Sequence, residues 1–215
     1  MAPQPARPPA RIGLEGRYVR LEPLAEHHIE DLFAASSVAD AEQRFRYLFE
    51  GPPADLAAMA DWVRRQLALE DPMFFSVLDR ASGRCLGRQA LMRIVPAHGV
   101  IEIGSIYWGP GISRTRLATE ALYLFARHVF EDLGYRRFEW KCNARNEPSK
   151  RAAERFGFVY EGTFRQHMIV RGESRDTAWF AMLDGDWPRL RAGYERWLAP
   201  ENFDAAGQQR ERLRF

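Results

Sequence analysis

Four consecutive residues, Ser113, Arg114, Thr115 and Arg116, stand where an apolar strand-like run gives way to a periodic helix. Upstream lies Val100 to Trp108, then a glycine-proline bend at Gly109-Pro110-Gly111. A loop that opens a helix offers backbone N–H groups with no partner inside the helix, at the positive end of the helix dipole. That combination binds anions and suits phosphate, and Arg114 and Arg116 add positive charge to it. Read alone, the same stretch is also compatible with a plain strand, turn and core helix. Other reactive side chains point to less chemistry. Cys85 and Cys142 lie in apolar strand-like runs without a CxxC or a Cys/His cluster, which argues against a disulfide framework or a zinc site. His27 and His28 are neighbours in the first turn of a short helix and are expected to point to different faces, which makes a metal pair improbable. No metal is expected.

The elements that position these residues follow from periodicity. Ala118, Ala121, Leu122, Phe125, Val129 and Leu133 recur at helical spacing, with Thr119, Tyr123, Arg127 and Glu131 on the opposite face, and Gly134 closes the helix. Before it, residues 16–24 read as a strand and 26–36 as a short helix. Residues 40–53 are irregular and aromatic, either a lid over a cleft or packing under a loop. Residues 54–70 form an amphipathic helix. Runs at 73–78, 84–95 and 100–108, joined by short polar turns, form an antiparallel meander. After the central helix come a strand at 135–141, a helix at 149–156, strands at 158–170 and 176–183, and a closing helix at 187–198. Strands that meet helical crossovers in one sheet make an α+β or mixed α/β fold.

The chain has 215 residues, 46% of them hydrophobic, enough for a full core. Its net charge of +2 gives no reason to expect nucleic acid or an acidic membrane as partner. No apolar run approaches the length needed to cross a bilayer, and the first residues lack the apolar core of a signal peptide, so a cytoplasmic protein is expected. Residues 1–12, rich in proline, alanine and arginine, are expected to be disordered. A single domain is expected over 13–199, followed by a flexible tail at 200–215.

Three ordered pieces carry a resemblance to a known family. They are Glu102 to Trp108, the loop-helix through Leu117-Ala118-Thr119-Glu120-Ala121, and Asn146-Glu147-Pro148-Ser149 followed by Ala152 to Phe158 and Glu161-Gly162. Over about residues 16–183 the chain resembles the GNAT superfamily of acyl-coenzyme A dependent N-acetyltransferases, most closely its RimJ/RimL-like branch. The resemblance implies a central mixed, mostly antiparallel sheet of about seven strands flanked by helices. It also implies acetyl-CoA as cofactor. One departure stands out: Arg116 occupies a loop position where the family usually has glycine, and Ser113 one where it has Gln or Arg. The arginine could crowd a pyrophosphate or pair with it, and the flanking Arg114 favours pairing.

Carried over by position, the resemblance implies that the amides of Ser113, Arg114, Thr115, Arg116, Leu117, Ala118 and Thr119 hold the pyrophosphate. Ile106, Tyr107 and Trp108 line the pantetheine through their backbone. Asn146 bonds pantetheine or orders its loop, Ser149 sits near the sulfur, and Lys150 and Arg151 are candidate contacts for the nucleotide phosphate. Acetyl transfer to an amine needs a base, a polarised carbonyl and a proton for the departing thiolate. Glu102 is the candidate base and Ser149 the candidate acid, with Tyr160 as an alternative. A salt bridge at the strand is the competing role for Glu102. A Cys142–His167 nucleophilic dyad is unnecessary, because direct transfer needs no covalent intermediate.

The reading is therefore an N-acetyltransferase acting on a primary amine, either a protein N-terminal α-amine or a small molecule. The alternatives are a non-catalytic acyl-CoA binding or sensing module and a plain interaction domain. The terminal helix could bury Trp187, Tyr194 and Trp197 within the chain or against a second copy, as a homodimer would.

Overall fold

The computed structural model describes residues 5–215. Its strands are β1 (Leu14–Glu15), β2 (Val19–Pro23), β3 (Met73–Asp79), β4 (Cys85–Val95), β5 (Val100–Trp108), β6 (Arg137–Asn143), β7 (Val159–Val170) and β8 (Glu173–Leu183). Its α-helices are α1 (Ile29–Ser36), α2 (Ala41–Phe45), α3 (Leu56–Leu67), α4 (Arg116–Arg127), α5 (Glu147–Arg155) and α6 (Trp187–Leu198). The strands form an eight-stranded sheet in the order β1-β2-β3-β4-β5-β6-β8-β7. The ladders β1–β2, β2–β3, β3–β4, β6–β8 and β7–β8 are antiparallel, and β5–β6 is parallel. This is the expected mixed, mostly antiparallel α+β fold. The strand beyond the expected seven is the two-residue β1, too short to leave a periodic signal.

By contacts the described residues divide into two compact units, one of residues 10–93 and 104–124, the other of residues 5–9, 94–103 and 125–215. In the first, α3 is amphipathic because Met59 and Val63 fall on one face, and Asp55 caps its start by accepting the Ala58 amide. That face packs with Leu24, Leu32, Phe74, Leu78, Cys85 and Ala90 into one apolar cluster. Thr119 and Tyr123, expected on the polar face of α4, are buried as well. Glu120 beside them is buried too, and accepts the backbone N–H groups of Arg17, Tyr18 and Val19 at 2.9, 2.5 and 2.7 Å. Three donors satisfy an otherwise costly buried carboxylate. Gly16 makes room for it, since a Cβ there would meet the Glu120 carboxylate at 2.6 Å.

In the second unit, β6 and β8 pair from Arg137↔Leu183 to Asn143↔Thr177, and aromatic rings fill the space between sheet and helices. Phe138 contacts Phe130 and Phe158, while Trp140 contacts Phe156 and Phe158. On α6, Tyr194 is fully buried and donates to the Phe156 carbonyl at 2.6 Å. Burial pushes the Tyr194 phenol well above its ordinary value, against a smaller opposing effect of the Arg155 charge.

The terminal stretches carry specific contacts. Residues 1–4 of the segment expected to be disordered lie outside the described residues, while the Ala6 and Arg7 amides donate to the Pro96 and Leu133 carbonyls. In the expected tail, Phe203 is buried and Phe215 packs on Tyr194 at 5.1 Å between centroids. Among the described residues no helix is long and apolar enough to cross a membrane.

Candidate active site

The strand that carries the candidate residues is bent. The parallel ladder of β5 with β6 runs from Val100↔Arg137 to Ile103↔Trp140. Two residues on, Ser105 takes φ 48°, a left-handed conformation that breaks the pleat as a bulge does. Its carbonyl accepts from Arg88 Nη1 on β4 at 2.9 Å. Arg88 is itself buried, stacks on the Trp62 ring at 4.1 Å and pairs with Glu50. Sequence reading missed Arg88, because a single arginine in an apolar strand carries no periodic signal.

Past the bend, Ile106, Tyr107 and Trp108 lead into the loop. Tyr107 donates its hydroxyl to Ala35 O at 2.7 Å and packs its ring on Phe45 at 4.6 Å. Burial raises the Tyr107 phenol, partly offset by a hydrogen bond with Ser36 and the charge of Arg44. Trp108 donates its indole N–H to Gln89 Oε1 at 3.1 Å, and Gln89 donates in turn to Ala121 O at 3.0 Å. A buried amide thereby ties β4, β5 and α4 together with its polar atoms satisfied.

The loop holds itself in shape. The amides of Ile112 and Ser113 donate to Gly109 O, and that of Thr115 to Ile112 O. Thr115 Oγ1 accepts from the Leu117 amide at 3.1 Å, the part an N-cap hydroxyl plays. Arg114 takes φ 64°, a conformation costly for a side chain this size and often found at ligand-binding turns. The Arg116 guanidinium lies over the Tyr18 ring at 4.2 Å, so the residue at the usual glycine position lays its side chain against an aromatic ring. The amides of Ser113, Thr115 and Leu117, expected to hold phosphate, make bonds within the loop. Ala118 and Thr119 are buried.

The remaining candidates belong to the other unit. Glu102 on β5 is buried and bonds Lys141 Nζ at 2.8 Å. Lys141 also pairs with Glu139 at 2.6 Å and sits 3.9 Å from the centre of the Trp179 ring. Glu139 continues to Arg137, which forks onto Glu161, so opposite charges alternate from β5 through β6 to β7. Both roles considered for Glu102 thus begin from an ion pair. Asn146 is the N-cap of α5 and accepts the Ser149 amide at 3.2 Å, so it orders its own loop. Ser149 Oγ accepts from the Trp140 indole at 3.0 Å, which leaves its hydroxyl hydrogen to be donated elsewhere. Lys150 bonds Glu147. Tyr160 is half-exposed, its hydroxyl 2.8 Å from that of Thr163. Burial raises the Cys142 thiol, with a smaller opposing hydrogen bond to Ser149, and His167 bonds Thr177, so neither is set up as a nucleophile or its base.

The two histidines correct an expectation. His27 and His28 sit in a single 3-10 turn, and both Nε2 atoms reach Glu22 Oε2, at 3.3 and 3.0 Å. The three form a group with metal-ligand spacing. His28 Nδ1, however, accepts the Ala25 amide at 3.1 Å, which puts the ring proton on Nε2, facing Glu22. A protonated nitrogen cannot ligate, and the trio reads as a hydrogen-bonded cluster.

The model of the acetyltransferase (GNAT) domain family matches residues 19–159, a span that includes the bent strand, the loop-helix and the Asn-capped helix that carries Ser149. The chain belongs to the GNAT acetyltransferase family. Among solved structures it is similar to a GCN5-related N-acetyltransferase from Brucella melitensis, with 62% identity over 97% of this chain and 95% of that one, and a TM-score of 0.95. An acetyltransferase of the GNAT family from Chromobacterium violaceum shares 39% identity over 86% of this chain and 92% of that one, with a TM-score of 0.80. RimL, a ribosomal L7/L12 α-N-protein acetyltransferase, shares the fold at 18% identity, a TM-score of 0.69, and coverage of 80% of this chain and 94% of that one. None of the curated proteins compared matches the chain. Membership in this family implies an acyltransferase.

Proposed function

We propose that this GNAT protein transfers the acetyl group of acetyl-CoA to a primary amine, in the manner of the RimJ/RimL-like branch. The observation that carries the reading is the bend of β5 at Ser105, which leads Ile106 to Trp108 into a cationic loop and the start of α4. The donor set suits a coenzyme A pyrophosphate: Arg114 contributes charge, and the amides of Arg114, Arg116, Ala118 and Thr119 belong to the turn that opens the helix. Backbone groups of Ile106 to Trp108 pair with the pantetheine amides as an added strand would.

Acetyl-CoA, when bound, supplies an activated thioester. Glu102, positioned by Lys141, takes the proton that the attacking ammonium must lose, directly or through water. A backbone N–H near Tyr107 or Trp108 steadies the carbonyl oxygen. Ser149, oriented by the Trp140 indole, would protonate the departing sulfur and regain its proton from the nitrogen, which sheds a second one once the C–N bond has formed. An α-amine, with an ordinary pKa of about 7.7 to 8, asks less of a base than a lysine near 10.4, which favours N-terminal or similarly weak amines as acceptors.

The test is thermal unfolding with and without acetyl-CoA, followed by release of free thiol against a panel of peptides and small amines. A rise in midpoint and amine-dependent thiol release are expected. A rise without turnover on any amine would favour an acyl-CoA sensing module. No shift at millimolar acetyl-CoA would sink both readings.

A further inference from the structure

The loop proposed to hold the pyrophosphate has a cation beside it that is not part of the loop. Ser113 Oγ donates to Trp108 O at 2.8 Å and accepts from Arg44 Nη1 at 3.3 Å, across 69 positions of sequence. Arg44 is carried by α2, and its Nε is fixed by Asp40 at 2.8 Å. The guanidinium is thus aimed by one carboxylate at the first residue of the loop, and its Nη2 makes no hydrogen bond among the described residues. Arg116 lies over Tyr18. The segment bearing Arg44 is anchored on both sides of it: Phe45 packs on Tyr107, and Glu50 pairs with Arg88, whose other nitrogen holds the Ser105 carbonyl.

We propose that Arg44 is a phosphate-binding residue, its guanidinium reaching the pyrophosphate of coenzyme A beside Ser113. This rests on reading the 113–119 loop as the pyrophosphate site. A planar guanidinium whose Nε is held by a carboxylate, whose Nη1 makes one long bond and whose Nη2 makes none among the described residues is preorganised to take a phosphate oxygen.

Calorimetric titration with coenzyme A, dephospho-coenzyme A and pantetheine tests the assignment on wild type, Arg44→Met, Arg44→Lys and Arg65→Met, the last an exposed arginine of α3 that controls for net charge. Arg44→Met is expected to weaken coenzyme A and dephospho-coenzyme A alike, roughly tenfold to hundredfold, with pantetheine affinity unchanged. Arg44→Lys should fall between and Arg65→Met should match wild type. Equal weakening of pantetheine would show that Arg44 acts through packing. A penalty seen with coenzyme A but not with dephospho-coenzyme A would move the contact to the 3′-phosphate, and an unchanged affinity would remove it; each overturns the proposal. If Arg44→Met does not fold, Arg44→Lys carries the same comparison, since it keeps the charge and loses the fork. Wild type that binds no coenzyme A fails the underlying reading instead, so the two failures separate.

Discussion

At the scale of single residues, the most consequential group is Lys141, one ammonium serving the buried carboxylates of Glu102 and Glu139. Removing it leaves two buried negative charges without their shared partner. Lys141→Met should therefore cost about 3–5 kcal/mol of stability, read as a lower denaturant midpoint. Pairing it with Glu139→Gln should recover part of the loss, which a lost packing contact would not allow. Glu102→Gln separates the roles of that carboxylate: a base should lose about a hundredfold or more in kcat/KM with the fold retained. A purely structural ion pair would instead show up in the melting midpoint and leave turnover per folded molecule unchanged. Neither Lys141 nor its sharing was legible in the sequence. Arg137, Glu139 and Lys141 alternate as a solvated strand face would, and only partners on other strands, Glu102 on β5 and Glu161 on β7, turn it into a charge chain.

At the scale of elements, the close approach of β4 to β5 depends on Gly87. A Cβ there would strike the Tyr107 carbonyl and come within 3.1 Å of the Trp108 Cα. Gly87→Ala should cost roughly 1–3 kcal/mol, because backbone on both strands must move. It should also weaken coenzyme A binding, since Ile106 to Trp108 shift with it. Measuring both on one preparation distinguishes this from a glycine that matters only for turn geometry. Elements with strong periodicity were readable: α6 has the bounds its spacing predicts, and so does β5. α2 was not, because five residues make little more than one turn and show no repeat. The polar face assigned to α4 failed for another reason. Thr119 and Tyr123 are compatible with solvent by type, yet the helix is covered on that side too.

At the scale of the whole molecule, acid should be the harsher direction of pH. Burial lowers the His28 pKa against the opposing pull of Glu22, so folding favours the neutral ring. Burial pushes Glu22 upward, but hydrogen bonds from His28 and His27 and the Arg20 charge outweigh it and hold the carboxyl low. Both groups have folded values below their unfolded ones. Their contributions are present above the ordinary values, about 6.5 for the histidine and 4.3 for the glutamate, and are lost as pH falls through the folded values. Melting midpoints should decline from about pH 6.5 downward, and His28→Gln should flatten the upper part of that decline. The family and the order of elements could be read from the chain, because motifs and periodicity are local. The site's supporting contacts could not: Arg44 and Ser113, or Glu22 and His28, meet only once the chain is folded.

The Glu120 carboxylate, seated on three amides 101 to 103 positions earlier in the chain, also bears on the order in which the molecule assembles. Those bonds close one of the widest loops in the protein, and closing a wide loop costs entropy before any contact repays it. They should form late, after the rate-limiting barrier. Glu120→Gln would then refold at nearly the wild-type rate and unfold several times faster, so that this one side chain acts as a latch on the lifetime of the native state and hardly at all on the speed of reaching it.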